Sequence, residues 1–277
     1  MFRNSPHLKK FYFRFIITVL CIISVVVYCN ETSEKKSFKI VSLSPAMTEV
    51  LFSLGAREDI VGVTTFCNYP EEARKLYKVG DFSNPSVERI VGLKPDLVIV
   101  NLPEQMKTKQ MLEKLKINIF VSSPNSLNDI YKEIVALGKI IKKEKSADSL
   151  VNYIHSNIKQ SKFHRKKKVY IELSARPIVT VGRESFLNEL LEMAGAKNIF
   201  FDLKKEYPVV SQEEVIRRDP EIIILLHPED IKDRLGWNKI TAIKNKKIYK
   251  NLNQDYLLRP GPRLVKGFKE LKQVIGE

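Results

Sequence analysis

Apolar residues along the chain fall into two alternating patterns. Short unbroken runs, FKIVSL (38–43), IVGVTT (60–65), DLVIVN (96–101) and KINIFVSS (116–123), have the length and β-branched content of buried strands. Between them the spacing is helical. SPAMTEVLFSLGA has Ser44 or Thr48 near its start and Gly55 at its end, and SVERIVGLK stops at Pro95. In SLNDIYKEIVALGKIIKK, residues Leu127, Ile130, Ile134, Leu137 and Ile141 share one face. Strands alternating with helices predict a parallel α/β architecture.

The second half says nearly the same thing again. SVERIVGLKPDLVIV (86–100) aligns without a gap on SQEEVIRRDPEIIIL (211–225), with Ser, Glu and Pro coinciding and the apolar runs in step. EVLFSLGA (49–56) sets against ELLEMAGA (189–196), and VYIELS, VTVG and KIYK supply further strands. Between the halves runs SADSLVNYIHSNIKQSKFH (146–164), helical in period and free of Gly and Pro, with Ser146 placed to cap it. The expectation is therefore an N-terminal lobe over 38–145, a connecting helix over 146–165 and a similar C-terminal lobe over 166–277, with a ligand cleft between the lobes.

The first residues follow a different logic. Arg3, Lys9, Lys10 and Arg14 precede an uncharged run, FIITVLCIISVVVY, that is short for a membrane span but matches the apolar core of a secretory signal. Residues 1–28 are read as that signal, Cys29 as a lipid-accepting first residue, and 29–37 as a polar tether. Removing the signal lowers the formal charge from +15 to +11. The remaining lysines are scattered in short groups without interleaved aromatics, which argues for solvated surface and against nucleic acid. Cys67 is then left alone, so no disulfide framework follows.

Chemistry is sparse. The chain has no Walker loop, no GxSxG elbow, no HExxH and no dinucleotide fingerprint, and it offers no metal-ligand ladder. An exported enzyme using Cys67 and His227 in one cleft is the alternative of another class; the reading preferred here is not an enzyme. Ligands of parallel α/β sheets sit beyond the carboxyl ends of the strands. That rule nominates Ser44-Pro45, Thr65-Phe66, Asp81-Phe82 and Asn101-Leu102 in the first half. In the second it nominates Ser174 to Arg176, Arg183, His227 and the loop 251–263. Pro45, Phe66, Tyr69, Phe82, Tyr207 and Tyr256 offer flat apolar area, and Arg183 and Arg259 offer charge. Glu88 and Glu213 hold corresponding places near the starts of short helices. Either favourable placement at the helix dipole or recognition by a symmetric partner accounts for them.

KIVSLSPAMTEVLFSLGAREDIVGVTTFCNYP, VGDFSNPSVERIVGLKPDLVIV, GRESFLNELLEMAGAKNIF and the C-terminal RPGPRLVKGFKEL together resemble the helix-strut substrate-binding proteins of ABC importers. The resemblance covers almost everything from Phe38 onward. It implies an exported, lipid-anchored, monomeric binding protein that holds a large nutrient between two lobes and passes it to a permease with its ATPase. It also implies that Glu88 and Glu213 dock onto permease arginines. The family takes up vitamin B12, ferric siderophores and haem, and its vitamin B12 binders are the nearest pattern. Phe66 and Tyr69 fall in the matching loop, and Tyr207 falls at a cleft tryptophan position. A corrinoid (cobalamin) is therefore favoured over a ferric siderophore, with haem third; Tyr256 and His227 are its only axial candidates.

Overall fold

The computed structural model describes residues 38–161, 165–231 and 234–276. The expected signal, tether and Cys29 lie outside them. Among the described residues no helix is long and apolar enough to cross a membrane.

Two sheets share one plan. The first holds β1 (Ile40–Ser42), β2 (Ile60–Val63), β3 (Leu97–Asn101) and β4 (Ile119–Ser122), all parallel, in the order β2-β1-β3-β4. The second is centred on β5 (Lys167–Ala175), which pairs with β8 (Ile222–Leu225), and β8 pairs with β9 (Ile248–Tyr249), again in parallel. On its other edge β5 is flanked by β7 (Ala196–Asn198), parallel along its first half, and by β6 (Ile178–Thr180), antiparallel along its second. Among the named strands described, the β5–β6 hairpin departs from the otherwise parallel scheme.

Helices follow the strands in the same rhythm. In the first half come α1 (Pro45–Ser53), α2 (Glu71–Arg74), α3 (Val87–Gly92) and α4 (Met106–Lys114). Next are α5 (Leu127–Ile140) and α6 (Glu144–Asn157). The second half supplies α7 (Phe186–Met193), α8 (Gln212–Arg218), α9 (Thr241–Lys244), α10 (Gln254–Leu258) and α11 (Leu264–Gly276).

The internal similarity has structural content. Ser86 caps α3 by accepting from the Arg89 N–H, and Ser211 caps α8 by accepting from the Glu214 N–H. Each helix then feeds the strand beside the sheet's central strand. Alternation sends Leu97 and Ile99 into a central core and Val98 and Val100 to the outer face. The aligned residues do likewise, with Ile222 and Ile224 inward and Ile223 and Leu225 outward. In the second matched window α1 and α7 both stop just before a glycine at positive φ, Gly55 at 72° and Gly195 at 92°. A side chain there would meet the left-handed penalty that glycine escapes.

The central core joins the halves. Ile40 and Ile99 of the first sheet, Ile171 and Ile224 of the second, and Leu127, Ile134, Ala147, Ile154, Phe268 and Leu271 of the helices form one continuous apolar cluster. Both sheets are thus buried on both faces, which explains why their strands read as unbroken apolar runs.

The connecting helix differs from expectation. It starts at Glu144, without a side-chain cap on Lys143, so Ser146 lies in its first turn. It ends at Asn157 because the following chain finds other partners: the Ser161 N–H donates to the Met193 carbonyl and the Gln160 amide to that of Glu192. Those contacts satisfy C-terminal carbonyls of α7 in place of a further turn of helix after Asn157.

Candidate functional site

A cleft of about 450 Å³ opens where the carboxyl ends of β1 and β3 face the second half of the chain. Ser44 and Pro45 reach it because β1 ends there and α1 begins, the Ser44 hydroxyl accepting from the Met47 N–H. Asn101 and Leu102 reach it as β3 ends, and Ser123 and Pro124 as β4 ends. From the other side come Phe186 at the start of α7, Glu206 and Tyr207, and Gln254, Asp255, Leu258, Arg259 and Pro260.

Its walls are largely apolar. Phe66, 56% exposed, meets Phe82 with ring centroids 6.2 Å apart. Tyr207 faces them from the opposite half, where Phe186, 3% exposed, borders the cleft from the central core. The Tyr207 hydroxyl bonds Ser185 and Glu206, and burial with the neighbouring Glu206 charge pushes it above the ordinary phenol range. Burial likewise raises the Glu206 carboxyl. The Tyr207 hydrogen bond opposes the rise, and the charge of Glu104 across the cleft adds to it. Glu104 accepts from the Asn101 side-chain amide at 2.9 Å.

Arg259 lines the cleft but is heavily engaged. It donates to the Asn68 side chain at 2.8 Å and to the Phe66 carbonyl at 3.3 Å, and pairs with Asp255 at 2.9 Å and Glu49 at 3.3 Å. Its charge serves first to fasten the C-terminal loop to α1 and the 66–68 loop.

Of the eight side chains put forward as offering apolar area or charge to a ligand, Pro45, Phe66, Phe82, Tyr207 and Arg259 come together in the cleft, and three do not. Tyr69 lies under the Arg263 guanidinium at 4.3 Å, on the outer side of α1. Tyr256 flanks the same guanidinium at 5.2 Å. Arg183 stacks on Phe201 at 5.0 Å beside a separate groove lined by Glu184 and Glu189. The strand-end rule also fails at β5, because the β5–β6 hairpin extends past it. Arg176 instead pairs with Glu229.

Cys67 and His227 are not brought together. Cys67 is 1% exposed beneath α1, bonded to Thr48 and Thr64. His227 is held by Glu172 at 2.8 Å in the second sheet, where Glu172 also binds the Tyr170 hydroxyl and the Arg234 guanidinium. Neither lines the cleft, so the enzyme reading loses its constellation, and the haem reading loses its axial candidates. Trp237 stacks under Arg234 in the outer core of the second half.

Sequence reasoning missed Glu104, Phe186, Glu206 and the Ser123-Pro124 pair. Ser123 follows a strand directly, so the strand-end rule reaches it. Glu206 sits in an irregular turn with no local signal.

The chain matches the periplasmic binding protein family over residues 40–253. It is 34% identical over 261 residues to an uncharacterised ABC transporter substrate-binding lipoprotein, YvrC, of Bacillus subtilis, covering 89% of this chain and 82% of the relative. It is 30% identical over 258 residues to a vitamin B12-binding protein of Vibrio parahaemolyticus, covering 90% and 91%. A possible iron-binding, periplasmic solute-binding protein of Staphylococcus epidermidis superposes with a TM-score of 0.77 at 34% identity, over 88% of this chain and 100% of that one. With two sheets of repeated order about a shared core and a cleft at their strand ends, the chain belongs to the periplasmic binding protein family.

Proposed function

We propose that this protein is the substrate-binding component of an ABC importer and captures a large metal-containing nutrient, a corrinoid first, for delivery unchanged to the permease. The observation that carries the reading is the cleft itself, with aromatic rings from both halves, Phe66 and Phe82 opposite Tyr207 and bordered by the buried Phe186. Such a lining suits a broad, partly conjugated ligand held by a few polar groups. The relative named for vitamin B12 binding supports the corrinoid. An iron chelate is the second reading, favoured by the S. epidermidis structure. We place the protein outside the cytoplasmic membrane, anchored through a lipid on Cys29, in keeping with the lipoprotein name of the B. subtilis relative. Mass spectrometry of the mature N-terminus tests that anchor.

Isothermal titration of the purified protein with cyanocobalamin, several ferric siderophores and haem tests the ligand. Saturable submicromolar binding of cobalamin alone is the expected result. Binding of a siderophore instead keeps the transport role and overturns the corrinoid.

A further inference from the structure

The cleft and the rest of the protein differ in charge. The chain is strongly basic, with a formal charge of +15. Yet the charged residues lining the cleft are Glu104, Glu206, Asp255 and Arg259. Asp255 and Arg259 pair with each other at 2.9 Å, which leaves the two glutamates. Among the described residues neither forms an ion pair. Glu104 takes the Asn101 amide and Glu206 the Tyr207 hydroxyl, both neutral donors. Arg183, which sequence placed here, faces a different groove.

Helix dipoles explain only part of this pattern. Glu104 stands just before α4 and Asp255 lies in the first turn of α10, where carboxylates are favoured. Glu206 belongs to a turn between β7 and α8 and has no helix start to complement. The charge of Glu104, on the opposite wall of the cleft, raises the cost of ionising it. Among the described residues only neutral donors, the Tyr207 hydroxyl and the Asn101 amide, answer the two carboxylates. A ligand bringing positive charge or several hydrogen-bond donors into the gap relieves the repulsion.

We infer that Glu104 and Glu206 make the cleft selective by charge: it accepts a large flat ligand that is neutral or cationic and bears donors at its rim, and it rejects one with peripheral carboxylates or sulfonates. This selectivity rests on reading the cleft as a site for a large conjugated ligand. It removes anionic chelates from the candidates that the sequence alone leaves open. An amide-rimmed macrocycle satisfies both carboxylates through N–H donors. A carboxylate-rimmed one places like charges in a partly desolvated gap.

The test uses two pairs of probes, each with one ring system and opposite rims, titrated into the full-length protein. Cyanocobalamin carries amides where cobyrinic acid carries carboxylates. Tetrakis(N-methylpyridinium)porphyrin is cationic where tetrakis(sulfonatophenyl)porphyrin is anionic. Wild type is expected to favour the first member of each pair at least tenfold. In Glu104→Gln/Glu206→Gln, which keeps size and hydrogen bonding, the ratio is expected to fall at least fivefold, mainly through tighter anionic binding. Glu113→Gln, on the far turn of α4, is expected to leave it unchanged. Corrinoids that bind with a ratio indifferent to the double substitution overturn charge selection and leave the corrinoid reading standing. Silent corrinoids with a porphyrin preference that the substitutions erase support charge selection and overturn the corrinoid. Tighter binding of the anionic member by wild type, or no binding of any probe, overturns the inference. Should the double variant bind nothing, the two single variants are read by the same ratio.

Discussion

Glu49 and Arg263 lie 214 residues apart in the chain and meet in a buried bidentate ion pair, with Arg263 Nε 2.8 Å from Glu49 Oε2. Glu49 projects from α1 and is 2% exposed; Arg263 is 7% exposed and is sandwiched between the rings of Tyr69 and Tyr256. The pair pins the end of the C-terminal loop to the first half, while Arg259, four residues earlier, binds the 66–68 loop at the cleft. Sequence reading placed Tyr69 and Tyr256 against a ligand; the structure gives those rings to an arginine.

Breaking this pair from one side leaves a buried charge with only its longer contact, Glu49 with Arg259 at 3.3 Å or Arg263 with Asp255 at 3.5 Å. Arg263→Met is expected to destabilise the protein by about 3–5 kcal/mol, and Glu49→Leu/Arg263→Met by clearly less than the two single losses combined. Urea unfolding of the three variants measures it. Additive losses would show that the two side chains do not depend on each other.

Gly182 offers a second handle on the cleft. Its N–H donates to the Glu206 carbonyl at 2.9 Å, and the next N–H donates to the Leu203 carbonyl. A methyl group at position 182 runs into the Lys205 and Leu203 carbonyl oxygens, both backbone atoms. Gly182→Ala therefore shifts the turn that presents Glu206 and Tyr207. The expected result is a loss of about 1–3 kcal/mol in stability together with at least tenfold weaker ligand binding. Loss of stability with unchanged affinity would separate this turn from the site.

Much of this arrangement is legible before any coordinates. Residues 86–100 and 211–225 carry helix, cap and strand in the same register, because a serine cap, a proline break and a fully buried strand each leave a local mark. The strand-end rule finds Pro45, Phe66 and Phe82 for the same reason. It fails at Arg176 and Arg183, where an antiparallel hairpin carries the chain past the sheet end. The buried partners of Arg263 are invisible because Glu49 sits on a helix face that reads simply as amphipathic. Glu206 escapes notice because its significance lies in Glu104, a residue of the opposite half.

The raised Glu206 carboxyl gives stability a defined pH dependence. Burial, then the charge of Glu104, lifts it above its ordinary value of 4.5, against the hydrogen bond from Tyr207. A carboxyl raised in the folded state holds its proton more tightly there than in the unfolded chain. Its contribution is fully present below the unfolded value and is lost as pH rises through the folded one. Glu206→Gln removes the loss. Tyr207, Glu104, Asp255 and Arg259 remain in both proteins, so the difference between wild type and variant isolates Glu206. Denaturant unfolding from pH 4 to pH 7 is expected to show the variant gaining on wild type as pH rises above 4.5. A difference that stays flat across that range removes the effect.

Glu88 and Glu213 provide the remaining prediction, on docking. Each is the second residue of a helix capped by a serine, and each is exposed. The helices lead into β3 and β8, so their starts lie toward the carboxyl edges of the two sheets, the side on which the cleft opens. The Glu213 carboxyl is held below its ordinary range by its own backbone N–H and the Ser211 hydroxyl, so it stays charged at neutral pH. On the docking reading, two carboxylates at repeated positions on the cleft side would be read by arginines of a symmetric partner. Helix dipoles alone also favour acids there, and the two accounts differ in what charge reversal does. Glu88→Lys/Glu213→Lys is expected to lower ligand uptake by cells at least tenfold while leaving affinity in solution within twofold of wild type. Either single reversal is expected to fall between. Uptake at the wild-type level in the double variant would reduce both glutamates to helix-start residues.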